Sequence, residues 1–112
     1  MEKMLSLLKV LSDENRLKIL FMLKEKSMCS CEMLVLLAIT GATLSSHLKI
    51  LKLNGVVASK KDGRWIEYSL VDKKTLQFLA FIESVIRDKS QIVEMRRKIK
   101  SLGNRETICN KK

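Results

Sequence analysis

The sequence has 112 residues, and 22 lysines and arginines against 12 aspartates and glutamates give it a formal net charge of +10 at pH 7. This length suits one domain with a small core, and a hydrophobic content of 46% argues against a disordered chain. The positive charge predicts a polyanionic partner. Nucleic acid is favoured over a membrane because no basic amphipathic helix carries aromatic anchors.

Two features of the sequence predict the cellular compartment: its targeting signals and its number of cysteines. No apolar run approaches the length of a membrane span, and residues 1–9 are too few and too charged for a signal peptide. Three cysteines, an odd number, do not form the disulfide framework of a small secreted protein. We therefore expect a cytoplasmic protein with no membrane contact, whose thiols serve metal or redox chemistry.

Three helices are predicted in the first 40 residues. The first is short and has one apolar face, formed by Met4, Leu5, Leu8 and Leu11. Asp13, preceded by Ser12, can cap a second helix that contains an apolar cluster over residues 17–23. A third short helix is predicted over residues 31–37, and residues 38–40 form a tight turn after it.

The next helix, predicted over residues 40–54, is the central element of the chain. Thr40 is a good N-cap because its hydroxyl can accept from an unpaired backbone N–H, and Gly55 supplies a C-terminal stop. Spacing at i, i+4 and i+7 predicts a buried stripe formed by Leu44, Leu48 and Leu51.

The opposite face of this helix is unusual near its N-terminus. Its side chains are small, hydroxylated or basic, and include Ala42, Thr43, Ser46 and Lys49. Such side chains let a helix approach a second surface closely and hydrogen-bond to it, which is typical of a helix that enters a DNA major groove. The alternative is an ordinary amphipathic helix with a solvated face.

A β-hairpin is predicted directly after this helix. Two β-prone runs flank Asp62-Gly63, which is a strong short-range hairpin signal. The tip is basic, with Lys60, Lys61 and Arg64. A helix followed by a basic hairpin is the plan of a winged helix-turn-helix, in which the hairpin is the wing.

A long helical segment is predicted from its cap Asp72 to about Leu102, with a break near residues 88–90 as an option. It is apolar around more than one face, and a second copy of the chain in a two-fold dimer would cover it economically. Alternatively, one face packs on the body and the other is an exposed patch. We expect residues 1–102 to form the DNA-binding and dimerisation domain, and residues 103–112 to be a mobile tail.

Four segments in this order resemble the ArsR/SmtB family of metal-responsive repressors: residues 11–20, 29–32, 42–52 and 62–70. The match runs from about the N-terminus to Leu70, and the long helical segment after it fits more loosely. The resemblance implies a mostly α fold with a small β-hairpin, a winged helix-turn-helix that dimerises through its first and C-terminal helices. It also implies a homodimer that binds a double-stranded, inverted-repeat DNA operator.

The resemblance places DNA contacts in the first two turns of the helix over residues 40–54, and basic side chains there and in the wing would neutralise phosphates. The predicted DNA-binding residues are Ala42, Thr43, Ser45, Ser46, His47, Lys49, Lys60, Lys61 and Arg64. His47, the only histidine, reaches a base edge or phosphate, or alternatively caps the edge of the core. Gly41-Ala42 replaces the larger polar residues frequent in the family, which leaves the base preference open.

Cys29-x-Cys31 corresponds to the thiolate pair with which family members bind arsenite, antimonite or soft divalent cations such as cadmium and lead. Thiolates are soft ligands, and two on one short arc can chelate one soft ion. Some arsenic-sensing members have a third cysteine where this chain has Leu34, so Cys109 is a candidate third ligand; the alternative is an incidental tail thiol. The family's zinc site is not expected, because the last helical segment has no histidine.

No catalytic constellation is present, so the chain is not expected to be an enzyme. The predicted function is a transcriptional repressor that binds DNA without a cofactor and releases its operator when arsenite, antimonite or a soft metal occupies the cysteines. One alternative is a thiol redox-responsive winged-helix regulator. Another is a sequence-tolerant architectural DNA-binding protein with structural cysteines.

Overall fold

The computed structural model describes residues 1–109, with the side chain of Cys109 left out. Seven helices and three strands occur in this part of the chain. In order they are α1 (Glu2–Leu11), α2 (Glu14–Glu25), β1 (Met28–Cys29), α3 (Ser30–Leu36), α4 (Gly41–Leu53), β2 (Val57–Asp62), β3 (Trp65–Leu70), α5 (Lys73–Val85), α6 (Ser90–Lys100) and α7 (Arg105–Cys109). The mostly helical winged helix-turn-helix expected from the sequence is confirmed.

The predicted hairpin is the wing, and it belongs to a three-stranded antiparallel sheet in the order β1-β3-β2. Asp62 lies opposite Trp65 at its tip, where Gly63 takes the left-handed conformation with φ of +61°. The short strand β1, which the sequence analysis did not predict, pairs Met28 with Tyr68. This pairing places the start of α3 directly beside the wing.

The core is centred on α2, which packs against α4, α5, α6 and β3. Most of the fully buried side chains are apolar and come from several elements, among them Ile19, Leu20, Met22, Met28, Met33, Leu44, Leu51, Val57 and Leu79. Within residues 1–109 no single helix has both the length and the apolar composition needed to cross a membrane. Among the described residues, only α3 and α4 taken together, across a sharp bend, reach that length and composition.

Side chains cap the helices at the predicted positions. Asp13 accepts from the backbone N–H of Arg16 at 3.0 Å, and Thr40 accepts from that of Thr43 at 3.1 Å. Asp72 caps α5 in the same way. Gly55 follows α4 with φ of +71°, a conformation that costs glycine little and other residues more.

The long helical segment is two helices, α5 and α6, and the non-helical residues 86–89 between them confirm the break that the sequence allowed near residues 88–90. The side chain of Asp88 accepts from the backbone N–H of Ser90, the first residue of α6, at 2.9 Å. Helix α6 turns back onto α2 and α3, and its Ile92 and Ile99 are buried. The isoleucines of α6 are therefore covered within the subunit, although Val93 is 61% exposed, while α5 keeps an exposed apolar face.

The expected tail also contains structure. Residues 105–109 form α7, a helix that the sequence analysis did not predict, and it packs against α3.

Candidate DNA-binding face and thiol pair

Helix α4 is held by its apolar stripe and presents its other face outward. Leu44, Leu48 and Leu51 are buried with 0, 3 and 0% exposure, as their spacing predicts. Helix α3 packs against α4, and the chain changes direction by 116° between them. This is the angle of a helix-turn-helix, in which the second helix is free to enter a groove.

The outward face of α4 contains most of the residues predicted to contact DNA. Five of them are exposed: Ala42, Thr43, Ser45, Ser46 and Lys49. The hydroxyl of Thr43 accepts from that of Thr40 at 3.0 Å, so the first turn is ordered by its own cap. Small and hydroxylated side chains at this end leave room for a close approach to base edges.

His47 lies elsewhere. Its side chain is only 14% exposed, and its Nε2 is 3.9 Å from Oδ1 of Asp13, the cap of α2. The hydrogen bond from the backbone N–H of Arg16 holds the pKa of Asp13 below its ordinary value; burial opposes this shift, and the charge of His47 adds to it. The structure thus places His47 at the junction of α2 and α4, the core-edge position that the sequence left as its alternative role.

The wing supplies the remaining cations predicted to contact DNA, Lys60, Lys61 and Arg64, and all three are exposed. The guanidinium of Arg64 lies 5.1 Å from the centroid of the Trp65 ring, a cation–π distance. A further link, which the sequence analysis missed, ties the wing to α4: Nζ of Lys52 donates to the hydroxyl of Ser59 at 2.7 Å. The wing is therefore anchored beside the C-terminal end of α4.

Both cysteines lie at the start of α3. Cys29 ends β1, lies opposite Glu67 of β3 and is the N-cap of α3 with 2% exposure. Cys31 lies in the first turn and is half-buried. Glu32 completes a capping box, because its Oε1 accepts from the backbone N–H of Cys29 at 3.0 Å.

The described residues contain no group of three or more His, Cys, Asp or Glu side chains arranged to hold a metal ion. Of the predicted ligands, the structure places Cys29 and Cys31 two residues apart at the start of α3. Cys109, the candidate third ligand, ends α7, and its side chain lies outside the described part of the structure.

A charged cluster adjoins the thiol pair, and sequence reasoning missed it. Arg105 of α7 donates from Nε to Glu32 at 2.9 Å, from Nη1 to Asp62 at 2.8 Å and from Nη2 to Glu67 at 3.1 Å. Burial works to raise the pKa of Glu32, but the hydrogen bond from Cys29 and the guanidinium of Arg105 outweigh it and hold that pKa below its usual value. No local pattern reveals this cluster, since its members lie 38 to 73 residues from Arg105 along the chain.

Comparison with known proteins places this arrangement in a family. Residues 13–59 match the family described as bacterial regulatory protein, arsR family. The cadmium resistance transcriptional regulatory protein CadC of Listeria innocua is 38% identical over 86 residues, which cover 76% of this chain and 70% of that protein. This chain belongs to the ArsR family.

Two further comparisons agree with the ArsR assignment. The arsenical resistance operon repressor of Escherichia coli K12 is 34% identical over 67 residues, which cover 59% of this chain and 57% of that protein. The crystal structure of the transcriptional repressor BigR from Xylella fastidiosa superposes with a TM-score of 0.73 at 26% identity, covering 78% of this chain and 89% of that one. As an ArsR-family member, the protein is a DNA-binding transcriptional regulator and not an enzyme.

Proposed function

We propose that this ArsR-family protein is a homodimeric repressor that releases an inverted-repeat operator when a soft metal(loid) binds Cys29 and Cys31. Arsenite or antimonite is the preferred effector, and cadmium or lead is the second choice. One observation carries the proposal: the two thiols lie at the start of α3, and α3 leads through a short turn into α4. An ion that binds the two thiols therefore lies only one short helix away from the DNA-binding face.

The exposed face of α4 and the wing form the proposed DNA interface. Ser45, Ser46 and Thr43 suit base-edge contacts, while Lys49 and the wing cations Lys60, Lys61 and Arg64 suit phosphates. The net charge of +10 supports strongly salt-dependent binding, because each neutralised phosphate releases counterions. His47 would contribute indirectly, by fixing α4 against the cap of α2.

The proposed dimer interface uses apolar surface that the single subunit leaves uncovered. On α1 this surface is formed by Met4, Leu5 and Leu8, which are 52, 51 and 44% exposed. On α5 it is formed by Leu76, Phe81 and Val85, which are 38, 64 and 59% exposed. Two patches of this kind on a small domain favour a two-fold symmetric dimer, in which each α4 meets one half of an inverted repeat.

The proposed effector follows from the chemistry of the two thiols. Arsenous acid can exchange two As–O bonds for two As–S bonds with Cys29 and Cys31, releasing two molecules of water. Cadmium would instead displace one proton from each thiol. Soft thiolate ligands favour such ions over magnesium or calcium. The relatives named for cadmium and arsenical resistance support this class of effector. Cys109 would add a third sulfur and tighten binding.

For the ion to act, it must favour one of two arrangements of the dimer. It must bind more tightly to the arrangement in which the two α4 helices no longer match successive major grooves. A shift at the N-cap of α3 is a direct way to change the position of α4, because α3 packs against it.

The test measures release of the operator under reducing conditions when arsenite, antimonite, cadmium, lead or zinc is added. We expect arsenite or antimonite to release the operator, and Cys29→Ser or Cys31→Ser each to keep DNA binding but abolish release. Serine retains the size of cysteine and loses the soft donor. Cys109→Ser should raise the effector concentration needed if the tail completes the site.

Three other results would change the proposal. If both single serine variants remain fully inducible, the thiol pair is structural. Release by peroxide, with no response to any metal, would favour the redox-responsive regulator. Equal affinity for operator and random DNA would favour the architectural protein.

A further inference from the structure

Arg105 joins the thiol site to the wing. We use the name Arg105 clamp for Arg105 together with Glu32, Asp62 and Glu67. Its carboxylates come from three different elements, α3, β2 and β3, and the guanidinium that joins them comes from a fourth, α7. One side chain thus touches the start of α3 and both strands of the wing.

The clamp is largely withdrawn from water. The side chain of Arg105 is 17% exposed, that of Glu32 is 2% exposed and that of Glu67 is 21% exposed. Asp62, at 56%, is its solvent-facing end. A buried carboxylate that loses its cation is strongly destabilised, so Glu32 and Arg105 are expected to stay together or to separate in one concerted step.

Glu32 also belongs to the thiol site. Its Oε1 accepts from both the backbone N–H of Cys29 and the Nε of Arg105, at 3.0 and 2.9 Å. Burial works to lower the pKa of Arg105, but the hydrogen bond to Glu67 and the charge and hydrogen bond of Glu32 together raise it above its ordinary value. Arg105 is therefore bound to the same carboxylate oxygen that caps the start of α3.

We propose that Arg105 is the positioning residue that couples effector binding at Cys29 and Cys31 to the position of the wing. The inference rests on the proposed function. Cys29 is almost fully buried, so an ion that binds both sulfurs must displace the start of α3. That displacement moves Glu32, and the hydrogen bonds of Arg105 transmit the movement from Glu32 to Asp62 and Glu67.

The wing contains a natural reporter of this step. Trp65, the only tryptophan in the sequence, begins β3 opposite Asp62, and its ring centroid lies 5.9 Å from the guanidinium of Arg105. Movement of Arg105 changes the surroundings of the indole. Tryptophan emission therefore reports on the clamp in the absence of DNA.

The test compares the full-length wild type with Arg105→Gln, and uses cadmium chloride as the effector. Arg97→Gln is the matched control, because Arg97 also hydrogen-bonds a carboxylate, that of Glu94, on the exposed surface of α6. Three quantities are measured: the thiolate-to-cadmium absorption, the change in Trp65 emission, and the ratio of operator Kd with and without cadmium.

Wild type and Arg97→Gln should show the absorption, a change in emission, and an operator Kd raised roughly tenfold or more by cadmium. Arg105→Gln should still bind cadmium with the same absorption, while the emission change is lost and the Kd ratio falls to within about twofold of one. Arg105→Lys keeps the charge but not the three-way geometry, so it should recover only part of the ratio.

Asp62→Asn is a second variant, chosen because Asp62 is exposed and its loss does not threaten folding. It should lower the Kd ratio in the same direction and by a smaller factor. If the wild type responds to cadmium and both Arg105→Gln and Asp62→Asn respond equally, the clamp inference is overturned and the proposed function stands. If the wild type neither binds cadmium at the thiols nor releases DNA, the proposed function fails, and the inference fails with it.

Discussion

The replacement of Phe81 by glutamate tests the proposed dimer most directly. Phe81 is 64% exposed in the subunit, and a buried phenylalanine covers roughly 200 Å². A partner that covers the exposed part removes about 130 Å² of apolar surface, worth about 3 kcal/mol at about 25 cal/mol per Å². Two-fold symmetry uses the contact twice, so its loss costs about 6 kcal/mol, which is about four powers of ten in dimer Kd. A carboxylate forced into that interface adds to the cost.

The assay is sedimentation velocity at micromolar protein concentration. The wild type should sediment as a dimer and Phe81→Glu as a folded monomer, because residue 81 faces solvent in the subunit and its replacement leaves the core intact. Ile66→Glu is the control: Ile66 is 52% exposed but lies on the wing, so the same chemical change there should leave the dimer unaffected. A wild type that is monomeric at these concentrations would refute the dimer, and with it the two-half-site operator.

Two further predictions concern charged groups. Replacing Arg64 with alanine should weaken binding to all DNA sequences similarly and flatten the slope of log K against log salt by about one unit; an unchanged slope would mean that Arg64 contacts no phosphate. Because the folded-state pKa of Glu32 is lowered, its carboxylate stabilises the fold at neutral pH, and that stabilisation is lost as the pH falls through the folded-state value. Glu32→Gln should therefore lower the free energy of unfolding by about 3 kcal/mol near pH 7 and by much less at acid pH. Denaturant unfolding at both pH values checks this, and equal destabilisation would contradict it.

Short-range features of the chain were readable from the sequence alone. The stripe of Leu44, Leu48 and Leu51, the caps at Thr40 and Asp72, and the turn at Gly63 all depend on residues within about one helical turn or one hairpin. Such patterns encode which face of an element is apolar and where the element begins and ends. For the same reason, the sequence alone predicts the order of helix, turn, helix and wing.

The positions and contacts of His47, α6 and Arg105 could be determined only from the tertiary structure. The sequence left two roles open for His47, a DNA contact or a cap of the core edge, and only the packing of α4 on α2 decides that it lies 3.9 Å from Asp13. An apolar helix pattern indicates that one face must be covered but does not indicate what covers it. In this chain, Ile92 and Ile99 of α6 are covered within one subunit, where α6 packs against α2 and α3. The three partners of Arg105 lie 38, 43 and 73 residues away along the chain. No local periodicity carries information over such separations, because ion pairs of this kind form only once the sheet and helices have brought their ends together.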